Sequence, residues 1–314
     1  NRPSSRWPTP LPVLALYTYD KEPENKSMES EMLKAISVIA RLPAIMVGAY
    51  QVMRRYLYNS SMVMHPINLD ESLAESILST LRDNREYTKE EAKLLDLCLM
   101  LHAEHGGGNN STFTCRCVTS TGTDAYAAYA SAISALKGPR HGGANIKVME
   151  MLNCIENGVK NWENEGEVAD FLTKILNKEE NDHSGLIYGM GHAVYTLSDP
   201  RAVQLKKSAL KLAKGTEVEA EFRLLDTIER LTPQLFAKNK GDIKTMCANV
   251  DMYSGLVYKL LGIPVEMYTA LFACARMPGW CAHRMEEIEN GKRIMRPAYR
   301  TLIKNRDYVA LDQR

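Results

Sequence analysis

The sequence predicts an almost entirely α-helical protein, and three observations support this fold class. Apolar residues recur every three to four positions through most of the chain, as at Leu73, Ile77 and Leu81. The strict alternation of apolar and polar residues that marks half-buried strands is nearly absent. Short glycine-rich and proline-containing stretches separate the periodic segments. The predicted class is therefore all-α.

Ten helices follow from this periodicity. They are predicted over 27–56, 70–82, 88–105, 123–136, 144–154, 167–176, 201–214, 217–231, 251–261 and 265–289. Thr88 and Glu91 have the spacing of a capping box, and Pro43 is expected to kink or break the first helix. Residues 1–12 contain four prolines and read as an irregular lead-in.

Composition excludes several classes of partner. The 314 residues are enough for two domains with an ample core. With 39 basic and 38 acidic side chains the net charge is +1, so no global field attracts nucleic acid or an anionic membrane. The longest apolar stretch, 36–53, is interrupted by Arg41 and Pro43 and is not expected to span a bilayer. A small-molecule partner is favoured.

The seven cysteines indicate a reducing compartment. They form no CxxC pair, and an odd number does not suit a closed disulfide framework. We therefore expect free thiols and a cytoplasmic location. Cys115 and Cys117 form a single CxC pair, which is a weak signal for redox activity.

A histidine in a glycine-rich junction is the first candidate for chemistry. His141 lies within 137–145, between two predicted helices, and glycine allows the backbone to approach a ligand closely. The following helix directs free N–H groups toward an anion or a developing oxyanion. Three other polar stretches are expected to converge on His141: His105 with Asn109, His192 with Arg201, and Asp251.

Each candidate also has a purely structural interpretation. His105 continues the apolar stripe of its predicted helix and fits a core histidine, although three glycines directly after it favour a site. Asp251 fits a helix N-cap as well as a general base. The arginines fit ion pairs as well as carboxylate ligands. Residue spacing alone does not decide between the structural and the functional interpretations.

The residue types together fit enolate chemistry. Arg201, Arg276 and Arg296 suit a carboxylate-rich substrate, because a guanidinium binds a carboxylate through two parallel hydrogen bonds. Histidines can hold carbonyl oxygens while an aspartate removes a proton from the adjacent carbon. Proton abstraction next to a carbonyl, followed by carbon–carbon bond formation, fits this set.

Other site chemistries match the sequence less well. His102 and His105, with His141 and His192, offer a metal-binding alternative, but their spacing is not that of HExxH, and no metal is predicted. Gly189 and Gly191 lack the third glycine of a dinucleotide fingerprint, and no P-loop lysine is present. No serine or cysteine lies in a nucleophile motif.

Six segments, in order, closely resemble motifs of the citrate synthase family. They are 104–109, 138–145, 191–201, 249–255, 272–276 and 293–297. The resemblance implies a multi-helical homodimer with an active-site cleft between two domains. The large domain would comprise 1–142 and 266–314 and the small domain 143–265, with glycine hinges near 141–143 and 262–264.

The resemblance also implies residue roles. Asp251 would take a proton from the methyl group of acetyl-CoA while His141 holds the thioester oxygen, and His192, helped by His105, would polarise the oxaloacetate carbonyl. Carboxylate-binding positions would be Arg201, Arg276 and Arg296, the last reaching into the partner's site, with Asn109 also binding substrate. Coenzyme A would lie along Gly189, Gly191, Ala193 and Val194 as a co-substrate, with no permanently bound cofactor.

Two departures from the family pattern stand out. Thr196 occupies a position where the family commonly has a basic residue for a coenzyme A phosphate, and Lys240, Lys244 or Lys292 are candidates to replace it. Family members also carry a longer segment before the His105 motif, so the chain is expected to lack part of the N-terminal region. The alternatives considered are a 2-methylcitrate synthase using propionyl-CoA, a catalytically inactive helical dimer, and a metal-dependent enzyme.

Overall fold

The predicted all-α class is confirmed. The computed structural model describes residues 10–191, 195, 197–240, 246–298, 300, 302 and 308–313. Within this part of the chain the one β contact is an isolated bridge between Met190 and Ala248. The α-helices found there are α1 (Leu11–Leu16), α2 (Met28–Tyr58), α3 (Leu73–Leu81), α4 (Lys89–His102), α5 (Asn110–Thr119), α6 (Ala125–Leu136), α7 (Ala144–Gly158), α8 (Glu165–Leu176), α9 (Pro200–Ala213), α10 (Glu219–Lys240), α11 (Asp251–Leu260) and α12 (Tyr268–Asn290).

Local capping determines where several helices begin. Ser72 with Glu75 and Thr88 with Glu91 form complete capping boxes at the starts of α3 and α4, the second as predicted. In each box the hydroxyl accepts the N3 amide and the glutamate accepts the N-cap amide, which satisfies two free helix donors. The side chain of Asp124 accepts the Ala127 amide and begins α6 in the same way.

One prediction about proline was wrong, and of the two outcomes expected at Pro43 a break is not found. Helix α1 begins at Leu11, inside the stretch predicted to be irregular, because proline is tolerated in a first helical turn, where its missing N–H has no intrahelical partner. Helix α2 continues through Pro43 without a break. Pro43 is buried, and the apolar residues around it, including Met46 and Val47, belong to the core. Their burial offsets the hydrogen bond that proline removes.

The region before Asn109 also differs from expectation. Helix α4 ends at His102, so His105 lies in the following loop and not on the apolar stripe of the helix. The histidine that occupies the stripe is His102, which is fully buried. Helix α5, at 110–119, was not predicted.

Helix α12 forms the centre of the larger group of helices. It is buried over most of its length and packs against α2, α4, α5 and α6. Helices α7 to α11 make most of their contacts with one another, and α4 packs against α9. Fully buried side chains such as Trp280, Tyr129 and Tyr253 fill the space between helices.

Helix α2 is long and apolar enough to cross a membrane by length and composition alone. In this structure it packs against α12 and α3, and Val38, Met46 and Val47 are buried in the core. The seven cysteines are all free thiols, and Cys98 and Cys274 are buried as small apolar residues.

Candidate active site

His141 lies in the tight turn that joins α6 to α7. The His141 amide donates to Gly138 O (2.9 Å), and the Gly142 amide donates to Leu136 O (2.8 Å). A Cβ at Gly142 would lie 2.4 Å from Leu136 O, so a larger residue there would force the turn apart. Thr269, at the start of α12, donates its hydroxyl to Gly142 O (2.9 Å) and ties the turn to that helix.

The Ser111 hydroxyl holds the His141 ring from the side of α5. Nε2 of His141 lies 3.0 Å from Ser111 Oγ. The same oxygen accepts from Trp280 Nε1 (3.3 Å) and lies 3.0 Å from Asn109 Oδ1. Because the hydroxyl has one proton and is fully buried, these partners fix both its position and that of the imidazole.

The His141 imidazole is neutral at physiological pH. Burial, reinforced by the positive charge of Arg276, lowers the pKa of His141 to about 4. A neutral imidazole has one N–H and one lone pair, so it can donate one hydrogen bond without carrying charge. The Phe272 ring lies nearly perpendicular to the His141 ring, with 6.3 Å between the ring centroids.

Arg276 is a buried cation in the middle of α12. Its Nε donates to His102 O, its Nη1 donates to Asn109 Oδ1 (3.3 Å), and its guanidinium lies 5.0 Å from the Phe272 ring centroid. Only 1% of the residue is exposed. Among the described residues no carboxylate forms an ion pair with Arg276, and burial lowers the pKa of its guanidinium to about 10. A buried cation in this state suits a bound anion.

Asp251 begins α11, and a neighbouring loop holds it in place. The Asp251 amide donates to Asn249 Oδ1 (3.0 Å), and Asn249 Nδ2 donates to Gly191 O (3.0 Å). The Asn249 amide also donates to Gly189 O (2.9 Å). Gly189 has φ +82°, and a Cβ there would lie 2.9 Å from the backbone of Met252. The loop that ends at Gly191 therefore lies directly against the start of α11.

The environment of Asp251 favours the neutral form of its carboxyl group. Burial raises the pKa of Asp251 to about 6, against the opposing charges of Arg201 and Arg276. A carboxyl with a pKa near the working pH is suited to general base catalysis. The Asp251 side chain makes no N-cap hydrogen bond to α11, so the alternative of a structural cap is not supported.

Arg201 is held by a buried carboxylate at the start of α9. Its Nε and Nη2 donate to the two Asp199 oxygens (3.0 and 2.8 Å), and the Arg201 amide donates to Asp199 Oδ1 (3.0 Å). The Asp199 side chain is fully buried and the Arg201 side chain is 13% exposed. The charge of Arg201 acts on Asp251, so the two groups share one environment.

His105 is half-buried in the glycine loop between α4 and α5. Its ring lies 6.4 Å from the ring of Tyr195 (centroid to centroid), and its amide donates to Glu104 Oε1 (2.9 Å). Tyr195 follows His192 by three residues in the sequence, and the contact places His105 close to the chain at residue 195. Of the residues predicted to converge on His141, Asn109, Arg201 and Asp251 lie in the same region, with His105 at its edge, and Arg276 lies among them.

Several predicted positions lie elsewhere. His192, Ala193, Val194, Thr196 and Lys244 are outside the described residues, as is the side chain of Lys240. Arg296 and Lys292 are exposed on the segment after α12, where the Met295 amide donates to Ser120 Oγ (3.0 Å). Arg296 makes no hydrogen bond or ion pair within the described chain.

Other residues in the site were not singled out from the sequence. Ser111, Asn249, Asp199 and Trp280 each hold a candidate residue through the contacts given above. Ser111 lies in the polar cluster after the three glycines, and this position was the one feature of the sequence that could have indicated a role in the site. Trp280 reads as an ordinary core residue, and the sequence carried no signal for its indole hydrogen bond.

The metal-binding alternative finds no support in the described residues. No group of three or more His, Cys, Asp or Glu side chains there is arranged to hold a metal ion. His102 is fully buried, its Nδ1 lies 2.8 Å from Cys98 O, and burial lowers the pKa of His102 to about 3. It packs edge-on against Phe272 (4.9 Å between ring centroids), which is a core role.

Solved structures of citrate synthases share this fold. The Pyrobaculum aerophilum enzyme matches with a TM-score of 0.75 and 30% identity over 97% of this chain and 73% of that chain. The ternary complex of carboxymethyl coenzyme A and oxaloacetate with citrate synthase from Thermoplasma acidophilum matches with a TM-score of 0.75 and 29% identity, covering 99% of this chain and 78% of that one.

Curated relatives with similar sequences are also citrate synthases. The citrate synthase of Synechocystis is 37% identical over 83% of this chain and 59% of its own length. That of Saccharolobus solfataricus is 34% identical over 96% of this chain and 73% of its own length. The chain spans 59%, 56% and 62% of the relatives from Synechocystis, Deinococcus radiodurans and Corynebacterium glutamicum. Residues 11–298 match the family model for the C-terminal domain of citrate synthase. The chain therefore belongs to the citrate synthase family.

Proposed function

We propose that this protein condenses acetyl-CoA with oxaloacetate and hydrolyses the citryl-CoA formed to citrate and coenzyme A. One observation carries the proposal. Arg276, a buried arginine that forms no ion pair with any carboxylate in the described part of the chain, lies beside a neutral imidazole, His141, and near a carboxylate of raised pKa, Asp251. An anion site, a hydrogen-bond donor and a base are the three groups that enolate formation next to a bound dicarboxylate requires.

The carboxylates of the substrate supply the negative charge that balances the arginines of the site. Oxaloacetate places its carboxylates against Arg276 and Arg201, with Asn109 beside them, and the partner subunit supplies Arg296. His192, helped by His105, polarises the carbonyl group that is to be attacked. The complex of the Thermoplasma acidophilum relative with oxaloacetate supports this class of ligand.

Asp251 then takes a proton from the methyl group of acetyl-CoA. His141 donates its N–H to the thioester oxygen, which stabilises the enol as the proton leaves. The methylene carbon of the enol attacks the oxaloacetate carbonyl carbon and forms the new carbon–carbon bond. Water then cleaves the thioester and releases coenzyme A.

The assembly belongs to the same proposal. The large domain (1–142 and 266–314) and the small domain (143–265) close over oxaloacetate, and coenzyme A lies along Gly189, Gly191, Ala193 and Val194. Closure excludes water from the enol intermediate. The exposed position of Arg296, without a partner in the described chain, supports a homodimer in which it completes the neighbouring site. A reduced, cytoplasmic environment fits the free thiols.

Release of free thiol from acetyl-CoA, with and without oxaloacetate, tests the function. We expect release that depends on oxaloacetate and is faster with acetyl-CoA than with propionyl-CoA. Faster release from propionyl-CoA would change the substrate to that of a 2-methylcitrate synthase, because one methylene changes selectivity by only about 10–200-fold. No release from either thioester would contradict the proposal and favour an inactive helical subunit.

A further inference from the structure

The loop that carries His105 and leads to Asn109 has little support from its own backbone. Gly106 has φ +86°, and the one backbone hydrogen bond across the loop runs from the Asn109 amide to Gly106 O (3.1 Å). Three consecutive glycines give the unbound loop many accessible conformations. Something outside the loop must therefore hold it.

Glu104 provides that support from the N-terminal side. Its Oε1 accepts the backbone amides of both His105 (2.9 Å) and Gly106. One carboxylate oxygen thus fixes two successive peptide units, as a side-chain cap does at a helix start. These hydrogen bonds, with one from His283, hold the pKa of Glu104 below its usual range although burial opposes this.

His283 on α12 fixes Glu104 in turn. Its Nε2 donates to Glu104 Oε2 (3.0 Å). His283 follows Arg276 by seven residues, so the two side chains lie two turns apart on the same face of α12. Between them, Gly279 has no side chain, and a Cβ there would lie 2.1 Å from Ala103 O and 2.8 Å from Glu104 Oε2. The backbone of α12 therefore packs directly against residues 103–104.

Other charges surround this pair. His283 Nδ1 lies 3.4 Å from Glu286 Oε2, and Arg116 forms an ion pair with Glu287 (3.3 Å) below the loop. The Glu104 side chain is 47% exposed and that of His283 is 17% exposed. Coulomb attraction between such accessible groups contributes little to stability. The main effect of the pair is therefore geometric, because the hydrogen bond from His283 orients the Glu104 carboxylate toward the two loop amides.

We infer that Glu104 and His283 are positioning residues for substrate binding. Through them, α12 sets the orientation of the loop that presents His105 and Asn109, while the same helix presents Arg276 to the same ligand. Neither residue touches the substrate. The inferred effect of Glu104 and His283 on oxaloacetate binding rests on the proposed function. Their inferred effect on the order of the loop does not.

Hydrogen exchange of the unliganded protein, followed by mass spectrometry, tests the ordering directly. In His283→Leu we expect amides of 105–109 to exchange about tenfold faster, which corresponds to the loss of roughly one hydrogen bond to a charged group. His283→Gln retains a donor and should stay near the wild-type rate. Glu289→Gln, an exposed change on the same helix, is the matched control, and α8 is the internal reference. Unchanged exchange in His283→Leu would overturn the inference.

A second variant protects the test against misfolding. If His283→Leu does not fold, Glu104→Ala removes the same support at a side chain that is nearly half exposed. Faster exchange of 105–109 in that variant supports the inference, and wild-type exchange overturns it.

Steady-state kinetics test the consequence for substrate. We expect His283→Leu to raise the KM for oxaloacetate about tenfold while the KM for acetyl-CoA stays within about twofold, because the loop holds only the first substrate. Equal changes in both constants would contradict a positioning role at the oxaloacetate site. A wild-type protein without oxaloacetate-dependent thiol release would refute the proposed function, and the exchange result would then decide the ordering of the loop alone.

Discussion

The charge of Arg276 acts on both Asp251 and His141, and burial moves the pKa values of these two groups in opposite directions. Burial raises the pKa of Asp251 to about 6 and lowers that of His141 to about 4, since each group is driven toward its neutral form. Above pH 6 the aspartate is charged and the imidazole is not. The pair then consists of a base and a neutral donor, as enolate formation requires.

The first prediction concerns the dependence of the reaction on pH. Because only the deprotonated Asp251 can accept a proton, we expect kcat/KM for acetyl-CoA to fall about tenfold per pH unit below pH 6. His141 stays neutral throughout this range and adds no second step above pH 4. Initial rates of thiol release between pH 4.5 and 8.5 measure this. A flat profile down to pH 4.5 would contradict the assignment of the base.

The second prediction concerns Ser111. Its hydroxyl holds the His141 ring and the Trp280 indole, so Ser111→Ala leaves two buried nitrogens without this partner. We expect kcat to fall about 10–100-fold, comparable to the loss of an oriented proton donor, with a smaller change in the KM for oxaloacetate. Ser134→Ala, at a serine that bonds only to its own helix, is the control. Equal kcat values in the two variants would remove Ser111 from the site.

At the scale of residues, the sequence indicated candidate site residues better than it indicated the residues that hold them in place. His141, Asp251 and Arg276 could be proposed as site residues because histidine, aspartate and arginine in glycine-rich or apolar settings are costly without a function. Ser111 and Trp280 act through contacts between elements far apart in the chain, and spacing along one segment carries no record of such contacts.

At the scale of elements, a buried ion pair joins α2 to α12. Arg284 donates to both Glu31 oxygens (2.8 Å each), and both side chains are fully buried. The Arg284 guanidinium also donates to Thr119 Oγ1 (3.2 Å) and Thr123 O (3.1 Å), which connects α5 and the start of α6 to the same point.

The third prediction follows from this pair. Glu31→Leu leaves a buried guanidinium without its counter-charge, and we expect the free energy of unfolding to fall by about 3–5 kcal/mol. The double variant Glu31→Leu with Arg284→Met should lose less than this single variant, because no uncompensated charge remains. Urea denaturation monitored by circular dichroism gives both values. Additive losses would show that the two charges are not coupled.

Helix prediction succeeded where local chemistry determines the ends and failed where tertiary packing does. The capping box at Thr88 and the apolar periodicity of α12 are local signals, and both were read correctly. Helix α5 was missed because serine, threonine and asparagine are weak helix formers, and its buried side chains are largely polar. Packing against α6 and α12 stabilises this helix in spite of its composition.

At the scale of the whole molecule, the site lies where two groups of helices meet. His141, Asn109 and Arg276 come from the group centred on α12, and Arg201 and Asp251 come from α9 and α11. A ligand bound between them contacts both groups. This arrangement suits a cleft that closes on its substrate, as the proposed division into two domains requires.

The fourth prediction tests a shared site in a dimer. If Arg296 of one subunit completes the site of the other, Arg296→Met and Asp251→Asn homodimers are both inactive. Mixed dimers then contain one intact site, and random pairing of equal amounts restores about a quarter of wild-type activity. The measurement is thiol release after joint unfolding and refolding of the two variants. No recovery would place Arg296 within its own subunit's site, and an active Arg296→Met homodimer would place it outside the reaction.

Comparing wild-type protein with Asp251→Asn tests the central claim most directly. Thiol release from acetyl-CoA and calorimetric binding of oxaloacetate are measured on both proteins. We predict that the variant binds oxaloacetate within about threefold of wild type and loses at least about a thousandfold in turnover, because the substitution removes the base and leaves the arginines in place. Turnover in the variant comparable to wild type would contradict the account, since enolate formation would then not depend on Asp251.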